Sequence, residues 1–253
     1  MIQKKRYAES SDNLTRFVFR TLYQSENIDT AIYKVLETVG KQYDVSRAYV
    51  FENSDDNRFT SNTYEWCNKG IKAQIDKLQN VNYEDFGDYE KLFGDDSIFY
   101  CRNIHTLSSE QEELFASQGI HSTLQCAFYE NRIYRGFVGF DECTGLRLWT
   151  QEEISSLSLI SQLLSIFLQR KKTQQISQEM IQYQTVLNSL DECIYVIEEE
   201  TSILLYANQK FRETYPGFTI GSSCCFDRCD AHKMPIIWHR KHAFLCIDMK
   251  ESM

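Results

Sequence analysis

The sequence predicts an α/β fold of the α+β kind, in which helices flank a largely antiparallel sheet. The first observation is a hairpin in Gly119–Glu142, GIHSTLQCAFYENRIYRGFVGFDE, whose residues alternate around a turn at 130–132 that contains Asn131. The second is the order of patterns along the chain, which runs helix, strand, hairpin, strand, helix, hairpin and long helix. Gly136 and Gly139 interrupt the second hairpin strand and predict that a helix or a ligand comes close to its backbone.

The other elements of this domain follow in order. Helical spacing of apolar residues begins at Leu14 and again from Ile28 to about Tyr43. Strands are expected at Val45–Glu52, Phe59–Trp66 and 97–101, and a short helix at 69–79. A further helix is expected to begin at Ser108 or Ser109, with Glu112 in a capping-box position, and to end at Gly119.

Composition limits the classes of function. The 253 residues carry a formal net charge of -9 at pH 7, which argues against a nucleic-acid-binding protein. The most apolar run, Ile154–Leu168, is too short and too polar to span a bilayer, and the first residues contain no secretory signal, so a cytoplasmic protein is expected. Nine scattered cysteines predict reduced thiols. The sequence contains no Gly-rich phosphate loop.

A long helix is predicted after Trp149, and it continues into a seam with four-three spacing. This pattern favours a parallel homodimer, and the alternative is a solvated linker helix with a few core contacts. The seam residues are Ile176, Met180, Tyr183, Leu187 and Leu190. Beyond them, CIYVIEEE and SILLYAN predict two strands, and NQKFRETYPG predicts a short helix.

Residues 24–171 resemble a GAF domain of the kind found in bacterial diguanylate cyclases and related signalling proteins. The matching stretches include SRAYVFE, TYEWCNKGI, RGFVGFDE and WTQEEISSLSLIS. Residues from about 183 to 221 resemble the first half of a PAS domain, and the tail after them is not expected to supply the remaining strands. The predicted organisation is an N-terminal helix (1–23), a GAF-like sensor (24–171), a linker helix (172–190) and a partial PAS-like segment (191–253).

The resemblance implies a non-catalytic sensory module that acts upstream of an output domain, with cyclic-di-GMP metabolism as the expected output. It also implies a small-molecule site between the sheet and two covering segments, the loop at 80–96 and the helix around Glu112. The alternative is that the aromatic side chains of this region simply fill the core, as aromatic residues do in ordinary proteins. The candidate lining consists of Trp66, Cys67, Phe86, Phe99, Cys126 and Phe140.

The residues identify no ligand or cofactor. Asp141-Glu142 stands where cyclic-nucleotide-binding GAF domains carry an Asn-Lys pair, and the chain has neither the Cys-His pair nor the Asp-Ile-Pro motif of bilin-binding relatives.

Two other classes of function compete with the sensor. The first is a reductase of free methionine sulfoxide that would use Cys67, Cys101 and Cys126, although thiols inside strands are normally inert. The second is a zinc site in the C-terminal tail, with Cys225, Cys229 and His232 as the best-spaced ligands of a Cys/His-rich set that also includes Cys224, His239 and His242.

Overall fold

A computed structural model describes residues 2–85, 89–198, 201–223, 236–240 and 243–248, with side chains described for 13–84, 89–198 and 201–223. The chain forms two compact units, Met1–Lys171 and Lys172–Met253. Among the described residues, no helix is long and apolar enough to cross a membrane.

The helices of the first unit form where apolar residues recur at helical spacing. Asn27 caps the second helix by accepting a hydrogen bond from Thr30 N, and Asp44 ends it in the left-handed conformation (φ 48°). The fourth helix extends past Lys171, so both units contain part of it. The bounds are α1 Ile2–Gln24, α2 Ile28–Tyr43, α3 Ser109–Ala116 and α4 Gln151–Asn188.

The first unit contains a six-stranded antiparallel sheet, which confirms the predicted fold class. The strand order is β3-β2-β1-β6-β5-β4, so the β5–β6 hairpin and β1 form its centre. The bounds are β1 Arg47–Asn53, β2 Phe59–Cys67, β3 Val81–Asn82, β4 Ile98–Cys101, β5 Ser122–Glu130 and β6 Ile133–Glu142.

The hairpin turn forms as predicted. Asn131 and Arg132 have φ angles of 51° and 67°, and two positive φ angles at the centre of a two-residue turn are typical of type I′. The expectation that a helix or a ligand approaches the hairpin glycines is wrong. Instead, a Cβ on Gly136 would lie 2.0 Å from Phe51 O, and one on Gly139 would lie 2.2 Å from the Tyr49 ring. The close neighbours therefore come from β1.

The two faces of the sheet bury different cores. Val50, Leu124 and Val138 face α2 and α4, within a cluster that also holds α1. The neighbouring residues Tyr49 and Phe137 face the opposite way, into an aromatic cluster that also contains residues of the segment 68–121 between β2 and β5. Because side chains alternate along a strand, the same three central strands form both cores.

Two local predictions are wrong. Residues 69–79 form turns instead of a helix, because the Glu65 carboxylate accepts hydrogen bonds from Gln74 N and Ile75 N and replaces helical partners. The capping box of α3 joins Ser108 to Gln111, not to Glu112, since Gln111 occupies the third helical position. Glu112 pairs instead with His105, at 2.6 Å from its Nδ1.

The second unit contains a four-stranded antiparallel sheet in the order β8-β7-β10-β9, and a short helix, α5. The tail was not expected to supply the three further strands of a PAS sheet, and it contributes two described strands, since β10 pairs along the whole of β7 and β9 pairs with β10. The partial PAS-like character of this unit stays a prediction. The bounds are β7 Cys193–Glu198, β8 Leu204–Ala207, α5 Gln209–Thr214, β9 Ile236–Arg240 and β10 Ala243–Asp248.

Candidate functional site

An aromatic cavity of about 50 Å³ lies on the sheet face opposite α4. Both predicted covering segments contribute to it, the loop through Tyr83 and Tyr89 and α3 through Phe115. Its volume is well below the roughly 300–1,000 Å³ of ordinary ligand sites, so in this conformation the side chains leave little empty space in the cavity. The described lining residues are Tyr49, Phe51, Thr60, Leu78, Val81, Tyr83, Tyr89, Leu114, Phe115, Gln118, Ile120, Gln125 and Phe137.

The cavity floor is formed by the central strands. Phe51 and Phe137 are cross-strand partners whose rings stack at 4.8 Å with an interplanar angle of 5°. Tyr49 lies two residues before Phe51 on the same face, and its ring meets that of Phe51 edge-on at 5.6 Å. Such aromatic pairs contribute about 0.5–1.5 kcal/mol each beyond the area they bury. The floor is therefore formed by aromatic rings in mutual contact.

A chain of hydrogen bonds runs beneath this floor. The Tyr89 hydroxyl donates to Gln125 Oε1 (2.9 Å), and Gln125 Nε2 donates to the Tyr49 hydroxyl (3.1 Å). Tyr49 donates in turn to Asp141 Oδ1 (2.9 Å), which also accepts from Thr123 Oγ1 (2.8 Å). All of these polar atoms are buried, so each of the bonds stabilises the fold by satisfying a group that water cannot reach.

The chain ends at a buried ion pair. Arg47 Nη2 lies 3.5 Å from Asp141 Oδ2, and both side chains are 2% exposed. The same nitrogen donates to Gln118 O (2.9 Å) and to Cys143 Sγ (3.3 Å), whereas Arg47 Nε has no hydrogen-bond partner among the described residues. Burial raises the pKa of Asp141, and the Arg47 guanidinium opposes that rise. The charge of Arg47 is thus compensated within the protein.

The predicted lining residues do not come together. Trp66 and Phe140 belong to the core on the α4 side of the sheet, and Cys126 lies near Ser158 and Ser161 of α4. Phe99 packs against Phe115 at 6.1 Å, beside the cavity. Cys67 is half-buried near Arg47 and Cys143, and Phe86 lies outside the described residues. A ligand role for this set stays a prediction.

Burial makes two of the three candidate reductase thiols poor nucleophiles. It raises the pKa of Cys67 to about 12 and that of Cys126 to about 11, far from the lowered values of reactive thiols. The structure therefore gives no support to thiol chemistry at these two positions. For metals, the described part of the chain contains no group of three or more ligating side chains. The proposed zinc ligands Cys225, Cys229 and His232 lie outside it.

The predicted dimer seam is open to solvent in the single chain. Ile176, Met180 and Tyr183 are 53%, 54% and 63% exposed, Leu190 is 41% exposed, and Leu187 is half-buried. A row of large apolar side chains at this exposure lacks a partner within the described chain. Their pairing in a dimer stays a prediction.

Sequence reasoning did not place the cavity residues Tyr49, Phe51, Gln125 and Phe137 in the site. One signal was available. In β1 the large aromatic residues Tyr49 and Phe51 alternate with the aliphatic residues Ala48 and Val50, so the two faces of the strand differ in character. The aromatic face of β1 was therefore the better candidate floor.

No family model matches the sequence of the chain. The chain is 32% identical over 145 residues to the methanogenesis regulatory histidine kinase FilI of Methanothrix harundinacea (strain 6Ac). The alignment covers 55% of this chain and 16% of the kinase, so the chain spans less than a fifth of the curated relative that it matches.

Solved structures resemble the chain in fold. The chromophore-binding domain of the bacteriophytochrome RpBphP3 from R. palustris superposes with a TM-score of 0.57 at 15% identity, covering 68% of this chain and 64% of that one. The phycocyanobilin-bound GAF domain of a cyanobacterial phytochrome gives 0.55 at 12% identity, covering 65% and 96%. Identities this low show the fold alone. The antiparallel sheet and its flanking helices therefore have the fold of a GAF domain.

Proposed function

We propose that the chain is a sensory module that binds a small molecule in the aromatic cavity and passes the bound state to α4. One observation carries the proposal. The cavity floor and the α4-facing core are formed by alternate residues of the same strands. Tyr49 and Phe137 face the cavity, whereas Val50 and Val138 face α2 and α4. A ligand that shifts the floor also shifts the surface on which α4 packs, because packed interiors transmit strain.

A polar contact holds α4 to the domain at the end of the first unit. Lys171 Nζ lies 2.5 Å from Asp29 Oδ1 of α2 and 2.8 Å from the Tyr64 hydroxyl of β2, and Tyr64 also donates to Asp29. The Lys171 ammonium and Tyr64 lower the pKa of Asp29. In the proposed relay, movement of the sheet reaches α4 at this contact as well as through the core.

The relay then continues along α4 to the seam, which in the proposal pairs two chains in a parallel homodimer. Four seam residues, from Ile176 to Leu187, lie on α4, and Leu190 lies two residues beyond its end. The exposure of the seam residues supports this step, because a dimer would bury them. A ligand would favour one of two packings of the helix pair, and the output domain would respond to that choice.

The described fold does not identify the class of output domain that the sensor would control. The likeness to a methanogenesis regulatory histidine kinase favours a kinase as the output. Cyclic-di-GMP metabolism, suggested by the sequence resemblance, remains an expectation that no comparison supports. In both cases the sensory unit itself acts by binding and not by catalysis.

The test is a ligand screen read by native mass spectrometry. Purified chain is mixed with sets of charged and uncharged small metabolites, and the bound species are identified by mass. Val81→Trp is the blocking variant, because Val81 lines the cavity and is half-buried. Glu84→Trp is the matched control, since Glu84 is exposed nearby and does not line the cavity.

The proposal expects at least one compound that binds the wild type and Glu84→Trp at one molecule per chain and fails to bind folded Val81→Trp. Equal binding to both variants would place the ligand elsewhere. Absence of any binder across the whole set would contradict ligand sensing by the cavity.

A further inference from the structure

The side chain of Tyr89 fills part of the cavity region, in the position that a bound ligand would take. It lies on a 3₁₀ turn, Tyr89–Leu92, within the long connection that separates β3 from β4, and its side chain is 8% exposed. Its ring lies 5.4 Å from that of Phe137 and 6.2 Å from that of Phe93. Among the described residues its hydroxyl has one hydrogen bond, to Gln125 Oε1 at 2.9 Å. A phenol is thus already recognised here, by an aromatic wall and one acceptor.

The acceptor is fixed by the network behind it. Asp141 Oδ1 accepts the Tyr49 hydroxyl proton, so the Tyr49 oxygen is left to accept from Gln125 Nε2. The Gln125 amide can therefore turn only its Oε1 toward Tyr89. A group that takes the place of the Tyr89 hydroxyl must donate a hydrogen bond at this position, because two facing acceptors repel each other and lose the bond.

The residues that line the cavity disfavour a charged ligand. None of the described residues that line the cavity is charged. Arg47 and Asp141 each hydrogen-bond to a lining residue, but they do not line the cavity and their charges are paired with each other. An ion entering this site would lose its hydration without a compensating partner. The site is therefore complementary to an uncharged aromatic group that donates one hydrogen bond.

We propose that the cavity recognises a small uncharged phenol, or a similar hydroxylated aromatic, and that Tyr89 holds its place in the free protein. The inference rests on the proposed function and names its ligand class. With Tyr89 in place, the cavity of about 50 Å³ is smaller than the ~150 Å³ that accommodates benzene in an engineered protein, so the ligand enters as the Tyr89 ring leaves. Because of this exchange, the apparent dissociation constant equals the intrinsic one divided by the fraction of free molecules in which Tyr89 has left the cavity.

The test uses the full chain and two probes of matched shape, 4-methylphenol and toluene. Titration calorimetry and the thermal unfolding midpoint are measured for the wild type, Tyr89→Ala and Tyr89→Ala/Gln125→Leu. Tyr89→Ala is expected to bind 4-methylphenol about tenfold or more tightly than the wild type does, and about tenfold more tightly than toluene. The double variant is expected to lose the preference for 4-methylphenol. The wild type is expected to bind 4-methylphenol weakly, with a small rise in the midpoint.

Phe93→Ala is the matched control. Phe93 is as buried as Tyr89 and packs 6.0 Å from the same Phe137 ring, but it makes no side-chain hydrogen bond. The space it leaves is expected to show no tenfold preference for the phenol. If Tyr89→Ala does not fold, Tyr89→Leu takes its place, because it removes the hydroxyl and retains most of the apolar contact.

Three outcomes would overturn the inference. Equal affinities of Tyr89→Ala for 4-methylphenol and toluene would exclude phenol recognition but leave the cavity as a ligand site. Binding of 4-methylphenol to the variant and none to the wild type, up to the solubility limit, would make Tyr89 a permanent core residue. Binding of neither probe to any variant would also reject the phenol class, and the metabolite screen with Val81→Trp would then decide the proposed function on its own.

Discussion

Tyr49 lies across Gly139, its cross-strand partner, at a distance that leaves no room for a Cβ. A Cβ on Gly139 would come within 2.2 Å of the Tyr49 ring. This close approach lets the Tyr49 hydroxyl reach Asp141, two residues further along β6, with a hydrogen bond of 2.9 Å. The glycine thereby joins the aromatic floor of the cavity to the buried polar network.

Gly139→Ala should move Tyr49 and break its contact with Asp141. We expect a loss of about 1–3 kcal/mol in the free energy of unfolding, the usual cost of overpacking a core, measured by urea denaturation. Gly145→Ala is the control, because its Cβ would meet no atom within 4 Å, and it should change stability by less than about 0.5 kcal/mol. Equal effects of the two substitutions would contradict this role of Gly139.

Asp141→Leu should be among the most destabilising single changes, because it leaves the buried Arg47 guanidinium without its carboxylate. The expected loss is about 3–5 kcal/mol in the free energy of unfolding. The double variant Arg47→Leu/Asp141→Leu removes both charges and should recover much of that loss. If it unfolds as easily as the single variant in urea, the ion pair is not the reason for the cost.

Glu153 stabilises the start of α4 through charge. Burial alone would raise its pKa, but hydrogen bonds from Thr150 and Arg147 outweigh burial and hold the pKa below its ordinary value. Thr150 N donates to Glu153 Oε2 (2.8 Å), Glu153 N donates to Thr150 Oγ1 (3.2 Å), and Arg147 Nη2 lies 2.7 Å from Glu153 Oε1. Together these contacts form a capping box supported by an ion pair.

Glu153→Gln should therefore cost about 1 kcal/mol at neutral pH. A lowered folded-state pKa gives stability that is present above the unfolded-state pKa and is lost as the pH falls through the folded-state value. The difference between wild type and variant should shrink below about pH 5 and vanish once the carboxyl is protonated in both states. Thermal unfolding of both proteins across the acid range measures it, and a difference independent of pH would exclude the charge as its source.

The seam prediction is tested by charge substitution. Met180→Glu/Tyr183→Glu places like charges on the predicted interface and should convert a dimer to a monomer in sedimentation equilibrium. Gln178→Glu adds charge on the opposite side of α4 and should leave the dimer intact. A wild-type chain that stays monomeric at high concentration would contradict the proposed dimer.

The sequence was sufficient for most of the fold. The periodicity of the hairpin and of α4, together with Asn131 in the turn, is local information, and local information decides where strands and helices form. The failed helix at 69–79 shows the limit, because the decisive hydrogen bonds come from Glu65 on β2. Sequence spacing gives no sign of such a partner.

The site was harder to predict than the fold. Trp66 and Phe140 were chosen for their aromatic rings, yet both are cross-strand partners of Ala48, and strand alternation places them on the α4 side. Tyr89 and Gln125 become neighbours only when the long connection folds over the sheet, 36 residues apart in sequence. Alternation predicts the face on which a residue lies, but not which segment will cover it.

Hydrogen exchange in α4 distinguishes a cavity that signals to this helix from one that only binds a ligand. A compound identified by the native mass spectrometry screen is added at saturation to the full chain, and deuterium uptake is followed in peptides covering residues 151–171. If the cavity signals to α4, uptake in these peptides changes on binding, and the change is absent from Val81→Trp under the same conditions. Saturated binding in the cavity with unchanged uptake throughout α4 would contradict this signalling.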